Sequence, residues 1–389
     1  MLSYNGRGQV TFGMRPKKER YDMKTKFAIP AVVGTLLAMN GVSAAADAPS
    51  LPDKGAQAAS VTPDNFYRAE SDIRFARVIQ AAGGLGKFDI REPAPLDKQD
   101  VVHGNRDLLY SAAVFDLRTG PVTITMPDAG PRFMSLVAIS EDEYVPAILY
   151  RSGSYTFTEQ QVGTRYVLLG TRTMIDPADP KDLARARELQ KAVKITGMGE
   201  GRFDVPDWDQ TTYENVRAAL LLLALALPDL KHTFGTKADT DPVRHLIGSA
   251  LNWGGNPDAD EVNLKFTPTQ NDGTTIYKLD VKDVPVDGFW SISVYNSDGY
   301  FEPNKYGAYT LNSEVAKKSS DGSVTVQFGG CDGKVGNCLP TMQGWNYVVR
   351  LYRPRAEILD GKWTFPAARS TDRRELAVTP ASLRSGVAH

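Results

Sequence analysis

A short polar run, "HGNRDLLY" at residues 103–110, stands directly before an apolar segment of the chain. Within five residues it places an imidazole, an amide, a guanidinium and a carboxylate, on His103, Asn105, Arg106 and Asp107. An imidazole titrates near neutral pH and can act as a general acid or base, and a planar guanidinium can hold a carboxylate or phosphate. The catalytic candidates are therefore His103, Arg106 and Asp107.

The same run also has a purely structural interpretation. His103 can be a hydrogen-bonded loop residue, and Asn105 is a common turn former. Arg106 can form an internal ion pair that joins two parts of the fold. Both interpretations stay open at the level of the sequence.

A second segment, "DGFWSISVYNSDGYFEPN" at 287–304, alternates like a strand. One face carries Trp290, Ile292 and Val294, which predicts a sandwich core. On the other face, two serines separate the rings of Phe289 and Tyr295. Such a face can be a shallow platform for a ring or sugar, or it can pack beneath another part of the protein.

Polar and aromatic residues follow this strand and suit the rim of a binding site. If the two segments meet between domains, the ligand-binding candidates are Asn105, Arg106, Tyr110, Tyr295, Asn296 and Tyr300. Arg106 would hold an anionic or hydroxyl-bearing ligand, Tyr295 would stack on it or donate its hydroxyl, and Trp290 would lie beneath in the core.

Familiar catalytic strings are missing from the chain. It contains no G-x-S-x-G elbow, no H-E-x-x-H, no Walker loop and no complete G-x-G-x-x-G. The sequence therefore predicts no metal and no cofactor, and it does not decide whether the protein is an enzyme.

The N-terminus has the pattern of an export signal. The basic residues Lys24 and Lys26 precede an apolar stretch, 27–39, which is too short to span a bilayer comfortably, and small residues follow at 42–46. This predicts a signal peptide at 23–44, cleaved near Ala45 to Asp47, and a periplasmic or secreted protein without a transmembrane segment in the mature chain. Residues 1–22 are interpreted as an extension that precedes the true start at Met23, with a long basic leader as the alternative.

Charge excludes one class of partner. The 389-residue chain has a formal net charge of −1, while its first 44 residues hold seven basic residues against two acids. The remainder is mildly acidic and has no basic block, so we expect no nucleic-acid partner. A small molecule or glycan is the expected partner, and self-association stays open.

Cys331 and Cys338 lie in the loop "FGGCDGKVGNCLP". A zinc site would normally need two further ligands, and none of the four histidines is near in sequence. In an oxidising compartment two such neighbouring cysteines are expected to form a disulfide.

Periodicity divides the chain into β, helical and β regions. Residues 106–172 and 262–366 read as short strands with turn signals, which favours antiparallel sandwiches. Residues 207–251 read as helical, and the run 216–227 is apolar nearly all round, which predicts a buried helix.

The strings "GNRDLLYSAAVFDLRTGPVTITMPD" and "VPVDGFWSISVYNSDGYFEPNKYGAYTLNS", with "GWNYVVRLYRP", resemble two bacterial families. These are domain of unknown function 1254 and its usual partner, domain of unknown function 1214. The resemblance implies a mainly β, multi-domain α+β fold with two antiparallel sandwiches, the second jelly-roll-like, plus a small helical region. It implies no reaction.

The predicted organisation is an extension at 1–22, a signal peptide at 23–44, a tether at 45–61, a first β module at 62–194, a helical segment at 195–258, a second β module at 259–368 and a tail at 369–389. The leading functional hypothesis is a periplasmic module that binds a small molecule or glycan between its β domains. The alternatives are a hydrolase or lyase using His103, Arg106 and Asp107, and a structural or interaction protein of the cell envelope.

Overall fold

The strand-forming stretches fold into four sheets, seen in a computed structural model that describes residues 58–93, 95–99, 101–197 and 199–372. The first eight strands are β1 Asp89–Ile90, β2 Leu108–Asp116, β3 Val122–Met126, β4 Met134–Ser140, β5 Ala147–Leu149, β6 Gly153–Phe157, β7 Tyr166–Met174 and β8 Lys194–Thr196. They form a five-stranded sheet, β1-β2-β7-β4-β5, and a three-stranded sheet, β6-β3-β8. Every pair is antiparallel, as predicted.

These two sheets make the first β module by packing face to face. Alternate residues of β3, Val122, Ile124 and Met126, are buried against residues such as Phe115 of β2 and Leu136 of β4. A period of two puts every second side chain on the inner face, so this apolar set fixes which face of β3 is inside.

The second β module repeats this plan. Its strands are β9 Glu261–Phe266, β10 Tyr277–Val281, β11 Trp290–Tyr295, β12 Thr310–Asn312, β13 Val324–Phe328, β14 Cys338–Leu339, β15 Asn346–Tyr352 and β16 Arg369–Ser370. They form sheets β14-β13-β10-β16 and β12-β11-β15-β9, which enclose a core that includes Trp290, Ile292 and Val294 as predicted. Only the short β13–β14 pair is parallel among the described strands.

Helix α1 packs on the outer face of the five-stranded sheet, and α4 and α5 pack against α1. The six described helices are α1 Phe66–Ala82, α2 Glu159–Val162, α3 Pro180–Lys191, α4 Gln210–Ala224, α5 Pro242–Asn252 and α6 Ala356–Leu359. Phe75 and Val78 of α1 pack on the sheet, and Phe66 on the same helix packs against Tyr213 of α4 and Ile247 of α5. Within the described residues, no helix is both long and apolar enough to cross a membrane.

The prediction that the apolar helical run is buried is wrong. Leu222, Leu223 and Leu225 are 70%, 54% and 83% exposed. The helix α4 is anchored on one side only, through Tyr213 and Leu220, and lies on the surface of the helical layer. A helix of apolar composition can be buried on every side. Its sequence does not show how many other elements pack against it.

The cysteine prediction is confirmed. Cys331 and Cys338 form a disulfide, with their Cα atoms 5.8 Å apart. The fold class is also the predicted one: mainly antiparallel β with a helical region. The predicted signal peptide, the start of the tether and the C-terminal tail beyond residue 372 lie outside the described residues.

Candidate functional site

The outer face of the β12-β11-β15-β9 sheet is polar and yet buried. Strands β11 and β15 pair with Ser291 opposite Arg350 and Tyr295 opposite Asn346. Their outward residues therefore form one surface: Ser291, Ser293 and Tyr295 with Asn346, Arg350 and Tyr352, all buried. Residues 103–110, which lead into β2 of the first module, contact this surface. We call this contact the seam.

Asp107 lies in the interior of the seam. Its carboxylate accepts hydrogen bonds from Thr310 Oγ1 at 2.7 Å and Asn312 Nδ2 at 3.3 Å. Burial raises the pKa of Asp107, while the bond from Thr310 and the charge of Arg350 oppose that rise. The carboxylate of Asp107 therefore joins the first module to residues of β12 in the second module.

Arg350 supplies the positive charge of the seam. Its guanidinium donates to Ser293 Oγ at 3.1 Å, to the carbonyl of His103 at 2.6 Å and to Tyr295 Oη at 2.9 Å. The Tyr295 hydroxyl in turn donates to the carbonyl of Gly104 at 2.6 Å, and burial raises its pKa. A buried charge needs several hydrogen-bond partners. The bonds to the carbonyls of His103 and Gly104 also hold the second module against the first.

His103 sits at the half-buried end of this network. Its backbone has φ +53° and its amide donates to the carbonyl of Gly299 at 2.8 Å. A Cβ on Gly299, which has φ +84°, would approach His103 Nε2 to 3.1 Å and Val102 Cγ1 to 2.6 Å. Glycine at 299 thus allows the tip of the imidazole to lie close to the backbone of the second module.

Hydrogen bonds fix the tautomer of His103. Asn346 Nδ2 donates to the carbonyl of Asn296 at 2.7 Å, which turns Asn346 Oδ1 towards His103 Nε2 at 3.1 Å. Nε2 must then carry the proton, and Nδ1 carries the lone pair. Burial, helped by the positive charges of Lys265 and Arg350, lowers the pKa of His103. The ring is accordingly a neutral acceptor near pH 7.

Aromatic contacts connect His103 to Arg106. The imidazole meets the Tyr295 ring edge-on at 5.0 Å, Tyr295 contacts Phe301 at 4.6 Å, and Phe301 contacts Tyr309 at 6.0 Å. Arg106 lies over Tyr309 with Cζ 5.8 Å from the ring centroid, and burial lowers its pKa. His103, Arg106 and Tyr295, all named from the sequence, therefore belong to one connected cluster.

The other sequence candidates hold the seam or its rim in shape. Asn105 Nδ2 donates to Tyr352 Oη at 2.6 Å, and burial raises the pKa of Tyr110 to about 12. Asn296 Oδ1 accepts from the amides of Asp298 and Tyr300, at 3.1 and 3.0 Å, and so closes the turn that carries Gly299.

Solvent reaches only the edge of the seam. Tyr295 and Asp107 are fully buried, while His103 and Arg106 are half-buried and Lys265 is exposed. Two surface pockets, of about 340 and 450 Å³, lie in the first module and contain none of the predicted site residues. The serines between the rings of β11 thus pack against the first module, and the part of the seam that solvent reaches is the edge with His103 and Arg106.

A second set of titratable residues lies between α1 and the five-stranded sheet: Glu70, Asp72, Glu141 and Glu143, all buried. We call these four the acid cluster. Glu70 accepts hydrogen bonds from Tyr213 and Arg74, and Asp72 accepts from Trp208 Nε1 at 2.9 Å. Sequence reasoning missed this set because an acidic residue in a helix or after a strand is normally exposed.

Burial favours the protonated form of three carboxyl groups in the acid cluster. Burial raises the pKa of Asp72 to about 7 and that of Glu143 to about 8, and it also raises the pKa of Glu141. Asp72 Oδ1 and Glu143 Oε2 have no hydrogen-bond partner among the described residues, which fits carboxyl groups that keep a proton. The described residues contain no group of three or more His, Cys, Asp or Glu arranged to hold a metal ion.

Residues 87–143 match the family model described as Protein of unknown function (DUF1254), and residues 267–356 match Protein of unknown function (DUF1214). The first match contains the seam segment 103–110, and the second contains β11 and β15. Both family regions therefore occur in this one chain, as the sequence strings predicted.

A solved structure shows the same fold. The VPA0106 protein from Vibrio parahaemolyticus aligns with a TM-score of 0.62 at 17% identity, over 79% of this chain and 98% of that one. An uncharacterized protein from Burkholderia cenocepacia aligns with a TM-score of 0.46 at 13% identity, over 79% and 86%. No curated protein matches the chain.

Proposed function

We propose that this is an exported binding protein that holds a small anionic, hydroxyl-bearing molecule, such as an acidic sugar, at the His103 edge of the seam. The observation that carries the proposal is the fixed neutral tautomer of His103, with Nδ1 as an acceptor beside the positive charges of Lys265 and Arg350. A hydroxyl group can donate to Nδ1 while a carboxylate is attracted to the exposed Lys265. Arg106, at the other end of the row of aromatic contacts, is a second positively charged group that can bind an anion.

The same geometry favours binding over hydrolysis or elimination. A hydrolase that uses His103 and Asp107 needs the carboxylate to orient the imidazole or to reach the substrate. Asp107 instead bonds to Thr310 and Asn312 in the closed interior, and the imidazole is oriented by Asn346. An oriented base without an accessible acid partner suits recognition better than catalysis.

Export is part of the proposal. The basic and apolar pattern at 23–44 and the Cys331–Cys338 disulfide both support an oxidising compartment outside the cytoplasm, the periplasm or beyond. N-terminal sequencing of the periplasmic fraction should find a chain that begins near Ala45 to Asp47. A mature chain that keeps residues 27–39 would contradict export by cleavage.

The binding site can be tested with galacturonate and its neutral counterpart galactose. Galacturonate should raise the melting temperature of the wild-type protein, and galactose should do so less. His103→Gln and Lys265→Gln should each lose the response, while Lys278→Gln, an exposed lysine on β10, should keep it. Chemical shifts of the His103 ring that move on titration would locate the contact.

Arg106→Ala tests the second anion group. The variant should fold and lose part of the galacturonate response. A variant that unfolds would assign Arg106 to the architecture of the seam, and an unchanged response would remove it from the site. If neither sugar shifts wild-type melting or the His103 resonances, the acidic-sugar proposal is wrong.

A further inference from the structure

The outer surface of α4 and α5 carries large apolar side chains in contact with solvent. Leu222, Leu223 and Leu225 are more than half exposed, and Val243 and Leu251 of the neighbouring helix are 63% and 43% exposed. Ala218 and Ala219 extend the same surface towards the start of α4. We call these seven residues the leucine face. Soluble monomers rarely expose contiguous apolar patches of this kind, and such patches commonly mark an interface.

Residue spacing suits contact with another helix. The exposed apolar positions Ala218, Leu222 and Leu225 follow at intervals of four and three along α4 and its C-cap residue. Alternating three and four gives the straight apolar stripe by which helices pack at a shallow crossing angle. The inward side of α4 is already occupied by Tyr213 and Leu220, so the stripe is available.

Side-chain size changes along the stripe. The first half presents the small residues Ala218 and Ala219, and the second half presents the three leucines. When two identical helices pack antiparallel about a two-fold axis, the first half of one lies against the second half of the other. Small residues then face large ones, as close packing requires.

Charges show the same complementarity. Glu214 is exposed near the start of α4, and Lys231 is exposed in the segment that follows the helix, seven residues after its last residue, Ala224. An antiparallel arrangement brings Glu214 of one copy towards Lys231 of the other, twice by symmetry, whereas a parallel arrangement would separate them. Asp229 and Arg244, also near the end of α4, pair with each other at 2.6 Å and leave Lys231 for this contact.

From these observations we propose that the leucine face binds the leucine face of a second copy of this chain, with the two α4 helices antiparallel. The helical layer lies on the first module opposite its sandwich core, while the seam edge belongs to the contact with the second module. Dimerisation is therefore independent of the ligand site proposed above.

Sedimentation equilibrium and light scattering of the mature, oxidised protein test the proposal. Wild type should be a dimer that dissociates only on dilution. The double variant Leu222→Glu/Leu225→Glu should be a folded monomer by circular dichroism, because both side chains already face solvent. Val315→Glu, a change at a 40% exposed apolar residue of the second module, should leave the dimer intact.

A charge reversal tests the antiparallel orientation without touching the apolar residues. Glu214→Lys and Lys231→Glu should each weaken the dimer roughly tenfold, since two exposed pairs become repulsive, and the double reversal should restore it. Single reversals without effect would overturn the orientation.

A wild-type monomer at every concentration would overturn the proposal, as would a dimer unchanged by the leucine double variant. Flotation with phosphatidylcholine vesicles covers the competing occupant. A monomer that floats with vesicles, and loses this property in the leucine double variant, would assign the face to lipid instead.

Discussion

The seam and the acid cluster both bury charge on the outer face of a sheet, but they do so in different ways. In the seam, Asp107 lies near Arg350 and both are surrounded by hydroxyl and amide groups. In the acid cluster, burial raises the pKa of Asp72 and Glu143, and the neighbouring carboxyl groups of Glu141 and Glu70 add to these rises. The seam is thus stabilised by opposite charge and fixed hydrogen bonds, and the acid cluster by protonation.

Removing one charge should harm the seam most. Asp107→Ala leaves Thr310 and Asn312 without their acceptor and removes a negative charge that interacts with Arg350. We expect the free energy of unfolding to fall by about 2–6 kcal/mol, because each buried donor that loses its acceptor costs about 1–3 kcal/mol. Urea unfolding measures it, with Asp298→Ala, at an exposed site, as the control. A loss as small as that of the control would show that the seam does not depend on this charge.

The acid cluster should instead respond to pH. Asp72 and Glu143 have folded pKa values of about 7 and 8, above the ordinary values of 3.8 and 4.5. The folded state therefore binds more protons than the unfolded state, and the free energy of unfolding falls as pH rises from about 4 to about 8. Each group contributes a slope of about 1.4 kcal/mol per pH unit within its window.

Asp72→Asn should remove one of these two slopes. An amide at this position stays neutral and can still bond to Trp208. Urea unfolding of wild type and variant between about pH 5 and pH 8 gives the comparison. Parallel pH profiles for the two proteins would mean that Asp72 is not the proton-binding group.

A single hydrogen bond in the seam should have a smaller effect. Tyr295→Phe removes the donor to the carbonyl of Gly104 and an acceptor for Arg350. We expect a loss of about 1–3 kcal/mol, because both groups stay buried. The hydroxyl of Tyr155 donates to the carbonyl of Arg151 at an exposed site, so Tyr155→Phe should change stability much less. Equal losses in both variants would argue against a special role for Tyr295.

Titration of His103 should have the smallest effect on stability. Its pH dependence has the opposite sign to that of the acid cluster. The pKa of His103 is lowered below the ordinary 6.5 by burial and by the nearby positive charges. The unfolded state then takes up the proton first, so stability decreases as pH falls through 6.5. NMR titration of the imidazole should give a pKa below 6.5, and His103→Gln should remove the acid-side decrease. A pKa above 6.5 would contradict the neutral acceptor proposed for the site.

Alternation predicted which residues share a face, and it succeeded where one face is apolar. Trp290, Ile292 and Val294 lie in the core as their spacing required. The same alternation places Asn346, Arg350 and Tyr352 on the outward face of β15, but no local pattern says that another module covers that face. Arg350, the central cation of the seam, was therefore not recognised as a site residue.

The exposure of α4 and the burial of Glu70 and Asp72 have the same origin. Both depend on what packs against a helix from distant parts of the chain, and periodicity describes only the helix itself. The disulfide was predictable because its two cysteines are close in sequence, so that local chain geometry was enough.

The disulfide also bears on the folding of the exported precursor proposed above. Strands β13 and β14 are parallel although only residues 329–337 connect them, whereas parallel neighbours usually need a crossover of a dozen residues or more. In the precursor, before the cysteines are oxidised, this short pairing would lack its covalent tie, and the edge of β13 that β14 covers would be open to pairing with another chain.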